Sequence, residues 1–169
     1  MPGSDLYKSP ANAFLREEVY KLGSSRGIRS MPPGPRRDFL VLTWGPVVYV
    51  TSYPTKSKPL LHSLIRCLND AVRTSIHRNL SGSDDLLHRL EVSYMVKVFD
   101  AKDVYDGMDV DSVRNAFRDF KMSLALPTTD LPGRMRSCLM VDEEVLAKSA
   151  KALANTRSRA EPRTRPRFG

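Results

Sequence analysis

The sequence predicts a single small α+β domain with β-α-β-α-β-α order, built as a ferredoxin-like or dimeric α+β sandwich. Three observations carry this. Val47 to Tyr53 is a β-branched and aromatic run closed by Pro54, which suits a strand. Leu61, Leu64, Ile65, Leu68, Val72 and Ile76 recur at three- and four-residue intervals, which is one apolar stripe of a long helix. Leu90, Val92, Tyr94, Val96 and Val98 alternate with Glu91, Ser93, Met95 and Lys97, which predicts a strand with one buried face.

Residues 1–38 hold Pro2, Pro10, Pro32, Pro33 and Pro35 with four glycines, and read as a flexible basic lead. One or two helical turns fit around Asn12 to Leu22, where Phe14, Leu15, Val19 and Leu22 fall near helical spacing. Order is expected from Phe39. The first strand covers Val47–Tyr53, and its consecutive apolar residues suit a strand covered on both faces. Thr55 or Ser57 can cap the long helix, Pro59 suits its first turn, and Arg73, His77 and Arg78 complement its dipole. Asn79 and Ser81-Gly82-Ser83 end it. A short turn at Asp84–Arg89 leads into the alternating strand. Asp109 or Asp111 caps a second helix with Val110, Val113, Phe117 and Phe120 inward. A third strand is expected near Met135–Val141, and Asp142 caps a last helix that turns Val145, Leu146 and Leu153 inward. The fourth strand of a ferredoxin-like sheet falls to Phe39–Leu42 or to the stretch Asp100–Met108. The domain is thus bounded at residues 39–154, and residues 155–169 form a disordered Arg-rich tail.

The 169 residues are 41% apolar and 27% charged, which excludes collagen, a wholly disordered chain and a polytopic membrane protein. Two cysteines exclude a disulfide scaffold and a cysteine-rich zinc module. The net charge of +8 sits in the ends. Residues 1–38 carry seven basic and four acidic side chains, and residues 155–169 carry five and one. A nearly neutral body argues against a dedicated nucleic-acid face, and leaves weak, salt-sensitive binding to nucleic acid through the tails. No secretory leader and no membrane span is legible, so the expected site is the cytoplasm or the nucleus.

Catalytic signatures are absent. Asp100, Asp103, Asp106, Asp109 and Asp111 form an acidic run, but with Gly107 as the sixth position of a calcium loop the first ligand falls on Lys102. Cys67, Cys138, His62, His77 and His88 lack zinc spacing, so no metal and no cofactor is expected. No phosphate loop, dinucleotide fingerprint or nucleophile elbow occurs. The residues placed to line a cleft or meet an anion are Trp44, Tyr49, Tyr53, His62, Arg66 and Tyr94.

Three stretches also carry a resemblance. They are Trp44-Gly45-Pro46-Val47-Val48-Tyr49-Val50-Thr51-Ser52-Tyr53, then Asp106-Gly107 with Val113-Arg114 and Phe117, then Arg136-x-Cys138 through Val141-Asp142-Glu143-Glu144. In order and spacing they resemble a group of uncharacterised small proteins of filamentous ascomycete fungi. The chain departs from that group at Pro46, at Val50, where the group has Arg, and at Phe120, where it has Trp. The resemblance implies a shared domain over residues 44–148 and a fungal origin, with no reaction attached.

The functional expectation is a non-catalytic binding or self-associating module. A homodimer through the sheet is the form weighed for self-association, with Glu91 and Lys97 pairing across a two-fold. The alternatives are an accessory protein or cofactor-free enzyme for a small apolar metabolite, and tail-mediated nucleic-acid binding.

Overall fold

The computed structural model describes residues 9–24, 26–124 and 131–160, with the side chains of Ser24, Arg26, Gly27 and residues 153–160 left aside. Helix α1 (Pro10–Phe14) is capped by Ser9, whose hydroxyl accepts from the Asn12 N–H, and has Pro10 in its first turn. It continues into a wide π turn (Leu15–Tyr20) and a 3₁₀ turn (Lys21–Ser24). Helices α2 (Arg26–Arg29) and α3 (Pro35–Leu42) follow.

Strand β1 (Val47–Val50) is buried along its whole length because it is the middle strand of three. It pairs in parallel with β2 (Lys97–Phe99), Val48 opposite Val98, and with β3 (Leu139–Val141), Val48 opposite Leu139. Between β1 and β2 run α4 (Ser57–Asn79) and α5 (Asp84–Ser93). Between β2 and β3 run α6 (Lys102–Tyr105), α7 (Val110–Ser123) and a 3₁₀ turn (Gly133–Met135). Helix α8 (Glu143–Ala160) follows β3.

Alternation along β1 sorts the layers. Val48 and Val50 pack on Leu61, Leu64 and Ile65 of α4 and on Leu146 of α8. Val47 and Tyr49 pack on Val113 and Phe117 of α7. Helices therefore cover both faces of the parallel sheet, the arrangement in which a strand reads as an unbroken apolar run. A third cluster seats the N-terminal turns on α4 and α5, with Ala11, Leu15 and Val19 against Ile76 and Leu90. A fourth joins Leu22, Ile28 and Leu40 to Leu124 and Met135.

The mixed helix-and-strand character holds, and so do β1, α4 and α7. Asp109 caps α7, accepting from the Ser112 N–H at 2.7 Å, and Asp142 accepts from the Val145 N–H at 2.9 Å at the start of α8. Several expectations are corrected. Among the described residues the sheet has three parallel strands rather than a ferredoxin-like set of four. Residues 9–24 and 26–38 are not a flexible lead: their helices bury Ala11, Leu15, Val19, Leu22 and Ile28. Residues 1–8 lie outside the described residues. Phe39–Leu42 belongs to α3 and Lys102–Tyr105 to α6, so neither place supplies a fourth strand.

The alternating stretch is divided: Leu90–Ser93 closes α5, Tyr94 forms an isolated bridge with Trp44, and only Lys97 and Val98 enter a strand, β2. Ser83 accepts from the Leu86 N–H at 3.3 Å, Asp84 and Asp85 occupy the favoured first turn, and Leu86, Leu87 and Leu90 share one helical face. Leu90 is fully buried while Val92 is 67% exposed, so the two do not share a strand face. Glu91 and Lys97 therefore do not share one strand face, as the pairing weighed for a homodimer requires. Glu91 stands on α5, where its carboxylate meets His77 of α4 at 2.9 Å, and Lys97 stands on β2. Helices pack on both faces of the sheet, while Leu139 on the edge strand β3 stays 48% exposed. The C-terminal tail begins later than residue 155, because α8 runs to Ala160. Residues 161–169 lie outside the described residues.

Candidate functional site

A hollow of about 290 Å³ opens at the amino-terminal ends of the strands. Its apolar wall is made by Trp44, Pro46, Leu68, Val72, Tyr94 and Leu139. Parallel α/β sheets usually bind ligands beyond the carboxyl ends of their strands. This hollow is on the opposite edge, where the N-terminal helical turns close over the strand entries.

Two backbone bonds set the aromatic wall. The Trp44 N–H donates to the Ser93 carbonyl at 2.9 Å, and the Met95 N–H donates to the Trp44 carbonyl at 2.7 Å. The crossing is tight because residue 45 has no side chain. Gly45 has φ +127°, and a Cβ there would fall 2.4 Å from the Met95 carbonyl oxygen. The Trp44 indole N–H donates to the Leu90 carbonyl at 2.8 Å, which fixes the ring. Its centroid lies 4.8 Å from that of Tyr94 at an interplanar angle of 60°, and 4.8 Å from that of Phe14, edge on.

The polar end is built by Glu18 and Arg134. Glu18 comes from the π turn, and both of its oxygens accept from the Gly133 N–H, at 3.0 and 2.8 Å. Arg134 is 5% exposed. Its Nη1 donates to the carbonyl and hydroxyl oxygens of Thr43, and its Nη2 to the Leu40 carbonyl. The guanidinium also lies 4.9 Å from the centre of the Phe39 ring. It thus caps the C-terminal end of α3, where free carbonyls and the helix dipole favour a cation. Burial pulls its pKa down to about 10, against the opposing pull of Glu18, so it stays charged at neutral pH. Its Nε and the Tyr94 hydroxyl are buried without a hydrogen-bond partner among the described residues. Burial also raises the Tyr94 pKa.

The residues expected to line one cleft divide between several places. Trp44 and Tyr94 meet in this hollow. His62 and Arg66 line a second one of about 350 Å³, with Leu61, Ile65 and Asn69 of α4 and Val98 and Asp100 from β2 and just beyond it. Tyr49 lies inside the sheet core, stacked on Phe99 at 4.8 Å, and burial raises its pKa well above the ordinary phenol value. The Tyr53 hydroxyl donates to the Val50 carbonyl at 2.9 Å. Burial, then Asp100 and Asp106, push its pKa to about 12.

Sequence reasoning missed Glu18 and Arg134. Glu18 reads as one of the solvent-facing charges Arg16-Glu17-Glu18, and Arg134 as a loop residue after Pro132-Gly133. Their partners stand far away in the chain, so no local pattern marks them.

The wall of the hollow holds one carboxylate and one guanidinium, both hydrogen-bonded to backbone, with the hydroxyls of Ser137 and Tyr94, and no histidine or cysteine. Cys67 is exposed on α4, and Cys138 packs partly buried beside Met140, with burial raising its pKa. In the acidic run, Asp109 is a helix cap and Asp111 pairs with Arg114 at 2.8 Å. Among the described residues no three His, Cys, Asp or Glu side chains gather as metal ligands would, and no helix is long and apolar enough to cross a membrane. Of the basic residues behind the nucleic-acid expectation, Arg16, Lys21, Arg29, Arg36 and Arg37 are among the described residues, and those from Arg157 onward lie where side chains are not described. Compared with known proteins, the chain matches no family model, no curated protein and no solved structure.

Proposed function

We propose that the chain is a non-catalytic binding module for a small, mainly apolar molecule held between Trp44, Tyr94 and the apolar side chains of α4 and β3. The observation that carries this reading is the composition of the hollow: six apolar wall residues around about 290 Å³, with the ionic groups confined to one end. Small-molecule sites have this make-up, an apolar lining with a few placed polar groups. The cationic charge at the polar end is already held by α3, so little reorganisation accompanies entry of an apolar body.

Trp44 is the chain's single tryptophan and belongs to the wall, so its emission reports occupancy. Titration of the full chain with 1-adamantanol, a rigid probe of suitable size, is expected to give a saturable change in emission. An emission that stays flat up to the solubility limit both with this probe and with its ammonium and carboxylate analogues overturns the reading.

A further inference from the structure

We propose that the ligand of this hollow is an apolar ammonium cation, with its nitrogen against the Glu18 carboxylate and its hydrocarbon against the Trp44 and Tyr94 rings. The inference rests on the reading of the hollow as a binding site and names the ligand's chemical class.

The polar end decides the sign of the charge. Arg134 is almost fully buried, and both Nη atoms are turned toward Thr43 and Leu40 of the α3 end. Its Nε is buried as well. Its donors are therefore not presented to a carboxylate or phosphate in the hollow. Glu18 is only partly buried and lines the hollow. A carboxylate has about four lone-pair directions, and the single Gly133 N–H leaves acceptor capacity unused. Beside the neutral hydroxyl of the exposed Ser137, the charged group available to a ligand is thus an anionic acceptor, and it selects a donor with positive charge.

The aromatic wall suits the same ligand. The Trp44 indole N–H is engaged by the Leu90 carbonyl, which leaves the ring as a packing surface. Trp44 and Tyr94 meet at 60°, so they form two walls of a corner rather than a flat stack. An alkylammonium group gains from the negative faces of such rings while its carbons pack on them. Glu18 owes its place to a six-residue π turn, a rare backbone form that recurs at functional sites.

Three probes with one hydrocarbon cage separate the outcomes: 1-adamantylammonium, 1-adamantanol and 1-adamantanecarboxylate, each titrated at neutral pH against the full chain with Trp44 emission as readout. The ammonium is expected to bind about tenfold tighter than the alcohol, and the carboxylate weakest. Glu18→Gln keeps a carbonyl oxygen for the Gly133 N–H and removes the charge. It is expected to cut ammonium affinity about tenfold and to leave the alcohol within about twofold. An alcohol or carboxylate that binds the wild-type chain as tightly as the ammonium overturns the cation assignment and leaves the binding site standing. So does a Glu18→Gln chain that binds the ammonium unchanged. Failure of all three probes overturns both readings. The order of the three on the wild-type chain decides the matter even if the variant does not fold.

Discussion

Both carboxylate oxygens of Glu18 accept from the Gly133 N–H, 115 positions away in the chain. A Cβ at position 133 would lie 3.2 Å from each of those oxygens, so the two elements meet at backbone distance. The next residue, Arg134, ties the same turn to the end of α3 through Thr43 and Leu40. The N-terminal helical turns are therefore latched to the segment that leads into β3. The hollow is framed by that latch on one side and by Trp44 and Tyr94 on another.

Removing residues 1–38 is expected to abolish cooperative unfolding. The deletion strips Leu15, Val19, Leu22 and Ile28 from two apolar clusters and takes Glu18 from Gly133. Each such side chain contributes roughly 1.5–3 kcal/mol when buried. Their loss is comparable with a whole domain's stability of roughly 5–15 kcal/mol. Thermal melts followed by circular dichroism test this. A chain of residues 39–169 that melts within about 3 °C of the full chain would show that the latch contributes nothing.

Gly45→Ala is expected to destabilise the fold by at least about 2 kcal/mol, because the φ of +127° is strained for alanine and the new methyl meets the Met95 carbonyl. It should also reduce 1-adamantanol binding, since Trp44 and Tyr94 are set by that crossing. Urea unfolding gives the first quantity and Trp44 emission the second. A variant as stable as wild type would mean that the Trp44–Met95 crossing can relax at no cost.

Alkaline stability should depend on Tyr53. Its folded pKa of about 12 lies above the ordinary phenol value of 10.0. The unfolded chain gives up this proton first, so the contribution is complete below pH 10 and is lost as pH rises toward 12. Tyr53→Phe, which also gives up the bond to the Val50 carbonyl, is expected to melt lower at pH 8 but to lose less stability between pH 10 and 12. Equal pH slopes in the two proteins would refute the assignment.

The legible parts of the fold were those where one signal acted alone. In β1 four adjacent apolar residues, ended by a loop with Pro54, had no helical competitor. In α4 the apolar stripe ran unbroken for several turns. The N-terminal helices were obscured because prolines read as breakers, whereas Pro10 and Pro35 occupy first turns, where no backbone N–H is needed. Around Leu90 two periodicities overlapped. The cap at Ser83 and the acids after it favoured helix, and burial of Leu86, Leu87 and Leu90 together on α5 decided it. Of the site, Trp44 and Tyr94 were visible as aromatics beside expected strands. Glu18 and Arg134 were not, because their roles arise from contacts between distant segments.

The most direct test of the central claim is a methyl-labelled NMR titration of the full chain with 1-adamantanol. Shift changes are predicted at the methyls of Leu68, Val72 and Leu139, which line the hollow beside Trp44. The methyls of Leu61, Ile65 and Val98, around the second hollow, are predicted to stay in place. Changes confined to that second set, or no saturable change at either, would contradict the account.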